Sequence, residues 1–170
     1  MILFKLNTGH RTKPSRLDIV RQAFFSRCKQ YRYHLSRHWN DGEQCIFVGL
    51  NPSTADTEID DATTRKCMLL AKGWGFSGFE LVNLFALRSR DPSALRFAAD
   101  PVGAHNDRWL KQTLHQEKLI VACWGNGGTL FQREQIIRGM HTRLHCLGTT
   151  KSGQPKHPLY LPLNTPLRAL

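Results

Sequence analysis

The sequence has no apolar run approaching the ~20 residues that a membrane-spanning helix needs. Its apolar start, Met1-Ile2-Leu3-Phe4, is too short for a signal peptide and has no basic stretch before it. Cysteine pairs are missing too. The five cysteines, Cys28, Cys45, Cys67, Cys123 and Cys146, are odd in number and widely spaced. That pattern argues against a disulfide framework and against the close pairs of a zinc site. Reduced, mostly buried thiols in a cytoplasmic protein are expected. There are no internal repeats and no low-complexity segments, so solenoids and disordered chains are set aside. With 170 residues, one domain with a sizeable core is expected.

Acidic residues are the other scarcity. Thirteen Asp and Glu face 24 Lys and Arg, for a formal net charge of +11. A polyanionic partner is therefore a candidate, nucleic acid ahead of an acidic membrane; plain solubility is the alternative. The charge is uneven. Residues 1–40 hold nine basic residues (Lys5, Arg11, Lys13, Arg16, Arg21, Arg27, Lys29, Arg32, Arg37) and one acid, Asp18. Residues 1–16 read as a basic flexible arm ahead of a single α/β domain over residues 17–170. Leu17, Val20, Phe24 and Cys28 recur at helical spacing and predict a helix over residues 17–30. Tyr31-Arg32-Tyr33-His34-Leu35 alternates like a strand.

From Cys45 onward, strands and helices alternate. Cys45-Ile46-Phe47-Val48-Gly49-Leu50 is a short continuous apolar run, as in a strand buried on both faces. Similar strands are expected over residues 79–85, 119–123 and 143–147. Helices are expected over residues 62–72, 104–116 and from Gly125 to about Arg138, with a short helical turn after Asp91-Pro92. This predicts three layers, α/β/α, around a mainly parallel four-stranded sheet. Ligands of such sheets bind beyond the carboxyl ends of the strands. The convergence point should thus gather Asn51, Pro52 and Ser53, then Asn83, then Trp124 and Asn126, and finally His157.

Several of these residues suggest chemistry. Asn51 is a neutral amide in an Asn-Pro turn, suited to holding a water or ligand. Asn83 sits in the apolar strand Leu81-Val82-Asn83-Leu84-Phe85, and a buried amide needs partners for its donor and acceptor. It reads either as a ligand for a pyrimidine edge or as a structural bond to a neighbouring loop. His157, between Pro155 and Pro158, can donate to a developing oxyanion or be a structural histidine. Asp56, Glu58, Asp60 and Asp61 crowd the loop after Asn51. They can bind Mg²⁺, supply a general base, or cap the next helix. Arg65 can screen them. Arg88 and Arg90 can hold a phosphate or pair with the acids.

Together these residues carry two resemblances. Val48-Gly49-Leu50-Asn51-Pro52 resembles the first motif of the uracil-DNA glycosylase superfamily, in its mismatch-specific branch. Leu81-Val82-Asn83-Leu84 looks like that superfamily's base-reading strand. Val121-Ala122-Cys123-Trp124-Gly125-Asn126 resembles the strand end of the uracil-specific branch, and His157-Pro158 the start of its second motif. This resemblance implies a glycosylase-like fold, with Asn51 positioning water, Asn83 reading the base edge and His157 stabilising the base oxygen. It also implies that Leu161 is the wedge that fills the gap left by an extruded base. It supplies no counterpart of the aromatic residue that stacks on the base.

The whole chain is also similar to an uncharacterised family of bacterial and phage domains. The shared residues are Tyr31-Arg32-Tyr33, 51–56 (Asn-Pro-Ser-Thr-Ala-Asp), 60–65, 82–85, 100–103 and 157–160. The expected function is cleavage of the bond between base and sugar in a damaged or modified nucleotide of DNA. The alternatives are an enzyme on free nucleotides using the acidic loop, or a non-catalytic nucleic-acid binding module. Asn51, His157, Asp60 and Asp61 are the expected catalytic residues. Asn83, Pro52, Ser53, Trp124, Asn126, Arg65, Arg88 and Leu161 are expected to bind substrate. No metal, cofactor or membrane is expected, and the partner is nucleic acid, DNA ahead of RNA, or a nucleotide. The chain is expected to be a monomer.

Overall fold

The computed structural model describes residues 19–140 and 143–170. The basic arm expected over residues 1–16 lies outside them. The described residues form a mixed α/β fold on one seven-stranded sheet, so the expected four strands are a subset of a wider sheet. In chain order the strands are β1 (Val20–Phe25), β2 (Arg32–His38), β3 (Gln44–Gly49), β4 (Gly78–Asn83), β5 (Ile120–Ala122), β6 (Leu144–Cys146) and β7 (Arg168–Ala169). Their spatial order is β1-β2-β4-β3-β5-β6-β7. The four strands read from continuous apolar runs, β4-β3-β5-β6, pair in parallel at the centre. Antiparallel strands extend both sides: β2 and β1 beyond β4, β7 beyond β6.

The helix expected over residues 17–30 does not form where the chain is described. Val20–Phe25 is the edge strand β1, with Val20 opposite His38 and Phe24 opposite His34. Val20 and Phe24 fit a period of two as well as one of four. As a strand, the segment half-buries Arg21, Ala23 and Phe25 and leaves Val20, Gln22 and Phe24 outward. Pairing with β2 satisfies one row of its backbone groups, which a short isolated helix cannot match in stability.

The central strands alternate between two cores. Cys45, Phe47, Phe79, Leu81 and Val121 face one side, where Cys67, Leu70 and Ala71 of α1 (Ala62–Gly73) cover them. Ile46, Val48, Val82, Ile120 and Ala122 face the other. There, Leu110 and Leu114 of α2 (Asn106–Leu114) and Ile137 of α3 (Arg133–Met140) cover them. Burial on both faces is why these strands read as unbroken apolar runs. The helix expected from Gly125 to Arg138 is interrupted. Residues Asn126–Gln132 form 3-10 turns, and α3 begins only at Arg133. Phe131 and Gln132, with φ of 51° and 56°, are left-handed there. Non-glycine residues adopt that conformation at a cost of about 1 kcal/mol each.

Successive connections lead to opposite sides of β3. From β3 the chain crosses over α1 to β4 on one side; from β4 it crosses over α2 to β5 on the other. This reversal opens a crevice beyond the carboxyl ends of β3 and β5.

Candidate functional site

A cavity of about 410 Å³ occupies that crevice. β3 contributes Gly49 and, just beyond its end, Leu50 and Asn51. β4 ends in Asn83, and Cys123 and Trp124 follow β5. The rim comes from the start of α1, from the segment 89–92, and from the 3-10 turn Pro158–Tyr160 with its cap His157. Of the residues given a chemical role in the sequence, Asn51, Ser53, Asp61, Asn83, Arg90, Trp124 and His157 line the cavity.

Asn83 is the focal residue. It is 3% exposed, and its Nδ2 is buried without a hydrogen-bond partner. Leaving a buried donor unpaired costs roughly 1–3 kcal/mol. The strand end itself is anchored through its backbone: Asn106 Nδ2, at the start of α2, donates to the carbonyls of Asn83 and Leu84 at 3.0 Å each.

Asn51 uses its amide nitrogen structurally. Nδ2 lies 3.1 Å from the Pro52 carbonyl, 3.0 Å from that of Ser89 and 3.4 Å from that of Leu87. Three carbonyl acceptors around one nitrogen fix the orientation of the amide. Its Oδ1 takes no hydrogen bond from a described residue and remains as the acceptor.

His157 accepts a hydrogen bond at Nδ1 from the Leu159 N–H at 3.4 Å. The proton of the neutral ring therefore sits on Nε2. Burial holds the pKa of this ring below the ordinary histidine value, against the opposing pull of Asp61. His157 is a neutral donor at pH 7.

Asp61 caps α1, its Oδ1 accepting from the Thr64 N–H at 2.8 Å. The remaining acids of the loop disperse. Asp56 accepts from the N–H groups of Glu58 and Ile59. Asp60 turns away from the cavity into an ion-pair bridge, to Arg21 at 2.7 Å and to the fully buried Arg37 at 2.8 Å. No cluster of three metal-ligating side chains occurs among the described residues.

Other expected contacts also lie outside the cavity. Pro52 is buried, and its carbonyl accepts from the Ser89 N–H. Arg65 donates to the Asp60 carbonyl. Arg88 donates to the carbonyls of Lys29 and Ser53 and lies over the Phe25 ring at 5.0 Å. Asn126 accepts at Oδ1 from the hydroxyls of Thr150 and Ser152. Leu161 packs against the core beside α1 and receives Lys66 at its carbonyl, so it does not project as a wedge. Trp124, within the cavity, has its N–H occupied by Gln154 at 3.0 Å.

Two further lining residues, Arg32 and Tyr160, stand in the shared family motifs, but the sequence assigned them no role in the site. Arg32 is 1% exposed, with one side-chain hydrogen bond, from Nη1 to the Ala55 carbonyl at 2.9 Å. Its Nε is buried and unpaired, and no carboxylate of a described residue lies within ion-pair distance. Burial pulls its pKa down to about 10, partly offset by Asp61, so it stays a cation at neutral pH. An unpaired buried charge is strongly unfavourable unless a partner neutralises it. The second residue is Tyr160, 83% exposed, its ring 5.9 Å from that of His157. Cys123 also lines the cavity, but burial pushes its thiol up to about 12, which leaves it un-ionised.

Residues 32–159 match the family described as protein of unknown function (DUF1643). The chain belongs to this family. No curated protein and no solved structure matches the chain. The DUF1643 match starts at Arg32 and ends at Leu159, and both residues line the cavity. The edge strand β1, whose Arg21 braces Asp60, lies outside the matched span of this DUF1643 chain.

Proposed function

We propose that the cavity binds a nucleobase and that the protein is a glycosylase-like hydrolase, cleaving the bond between a damaged or modified base and its sugar in DNA. The observation that carries this reading is the unpaired Nδ2 of Asn83, a buried amide donor at the cavity floor whose missing partner a base edge would provide. The neutral His157 supports it, because its Nε2 proton is available to a base oxygen that gains charge as the bond breaks. Tyr160 offers an aromatic face at the rim on which a base can stack.

In this reading the Asn51 side-chain Oδ1 holds the attacking water. Water oxygen bonds to the sugar carbon as the carbon–nitrogen bond breaks, and the bonding pair leaves with the base. Asp61 lines the cavity, with Oδ1 used as the helix cap and Oδ2 left to take the water's proton. Arg32 and His157 stabilise the departing base anion, which finally takes a proton from solvent. Binding-site groups prearranged around developing charge are the largest contributors in many hydrolases.

The test is base release from single- and double-stranded oligonucleotides carrying a panel of damaged and modified bases. Release that is lost in Asn51→Ala and in Asn83→Ala supports the proposal. A wide panel showing no release, together with nucleoside binding unaffected by Asn83→Ala, overturns it.

A further inference from the structure

A second depression, of about 630 Å³, adjoins the first and shares Leu50 and Pro92 with it. Its walls are the two 3-10 turns that follow β4 and β5, Pro92–Arg96 and Asn126–Gln132. Leu130 lines one wall. At the end of the other stands Phe97, 86% exposed, the most exposed large hydrophobic residue described. Arg90 lines the first cavity and Arg96 the second. Both are exposed, and neither makes a hydrogen bond or ion pair with a described residue. The acid beside them, Asp91, is occupied by its own turn, where it accepts from the Ser93 N–H and hydroxyl.

We infer that this groove is the subsite for the nucleotide adjoining the bound base on a single-stranded polynucleotide. The inference rests on the nucleobase reading of the first cavity. An exposed aromatic ring next to unpaired arginines is the combination that single strands use: bases stack and phosphates pair. A strand with one base in the Asn83 cavity crosses the shared wall at Leu50 and Pro92. Its linking phosphate lies between Arg90 and Arg96, and its next base lies on Phe97. A free base or nucleoside fills only the first cavity.

The test uses a fluorescein-labelled single-stranded DNA of about ten nucleotides, random in sequence, with an RNA of the same length in parallel. Binding is followed by anisotropy, and free nucleosides serve as competitors. Phe97→Ala should weaken oligonucleotide binding by about 5- to 150-fold, while Phe97→Trp should keep it. Arg96→Ala should weaken it and reduce the salt slope by about 0.7. The exposure of both side chains makes misfolding of these variants a minor concern. Oligonucleotide binding equal to wild type in Phe97→Ala and Arg96→Ala overturns the inference. If the oligonucleotide binds through Phe97 but no nucleoside competes, the nucleobase reading falls and the groove stands. If neither oligonucleotide nor nucleoside binds, both fall.

Discussion

A Cβ placed on Gly49 would lie 2.6 Å from Oδ1 of Asn83. The two residues are register partners across the parallel β3–β4 pair. The missing side chain at the end of one strand therefore makes the room in which the amide at the end of the next is held.

Gly49→Ala should push the Asn83 amide out of place. Nucleoside affinity is expected to fall about 10- to 100-fold, the cost of losing one buried donor. Overpacking should lower stability by about 1–3 kcal/mol. Calorimetric titration beside urea unfolding separates the two. Unchanged affinity would show that the amide's position does not matter to binding.

Arg32→Met should have opposite effects on stability and binding. Removing an unpaired buried charge is expected to leave the free protein as stable or about 1 kcal/mol more stable. Ligand affinity should fall more than tenfold. A large loss of stability, measured by urea unfolding, would mean that Arg32 holds the fold rather than a ligand.

Asp60 and Asp61 are neighbours with different consequences. Asp60→Ala strips the partner from the buried Arg37 and should cost about 3–5 kcal/mol in stability. Asp61→Asn keeps a side-chain oxygen for the helix cap and should mainly lower turnover. Thermal unfolding and base-release rates, measured on both variants, check this division. Equal stability losses would contradict it.

Two pH dependences follow. Protonation of His157 would turn Nδ1 from acceptor to donor and break its bond from the Leu159 N–H, which holds the ring in place, and burial lowers its pKa. The rate should hold through neutral pH and fall only on the acid side of the ordinary histidine range. His157→Gln should abolish that limb.

Glu80 governs stability instead. Burial alone would raise its pKa, but hydrogen bonds from His34 and Lys118, at 2.7 Å each, reverse this and lower it to about 2. A carboxylate depressed in the folded state contributes stability above its unfolded pKa, and that contribution disappears as pH falls through the folded value. Stability should therefore drop between about pH 4.5 and 2. In Glu80→Gln that drop should be much smaller, with about 3 kcal/mol lost at neutral pH. Urea unfolding as a function of pH reads both.

The legible parts of the molecule were those where one physical demand acts alone. The four central strands are buried on both faces, so their apolar runs have no competing period. Asn83 was legible because an amide inside such a run is conspicuous. Val20–Phe25 was not, because its apolar residues suit two periods and only pairing with β2 decides between them. β7 has two residues and carries no pattern. Arg32 stood out in the shared Tyr31-Arg32-Tyr33 motif, but its burial did not: counting nine basic residues in the first forty cannot separate a solvated cation from one 1% exposed. The acidic loop looked like one cluster because sequence proximity says nothing about direction. Each of Asp56, Asp60 and Asp61 answers to a different donor.

The Arg21–Asp60–Arg37 bridge gives the cavity two unlike jaws. On one side, the loop ahead of α1 is pinned to two strands of the sheet at once, so it moves only when the sheet's edge moves. On the other, His157 and Tyr160 belong to a capped three-residue turn that no ion pair among the described residues ties to that loop; a hydrogen bond from Lys66 of α1 to the adjoining Leu161 carbonyl holds it. Traffic into and out of the cavity should be set by the jaw without the ion-pair bridge, and the residence time of a ligand by how firmly it holds that turn in place.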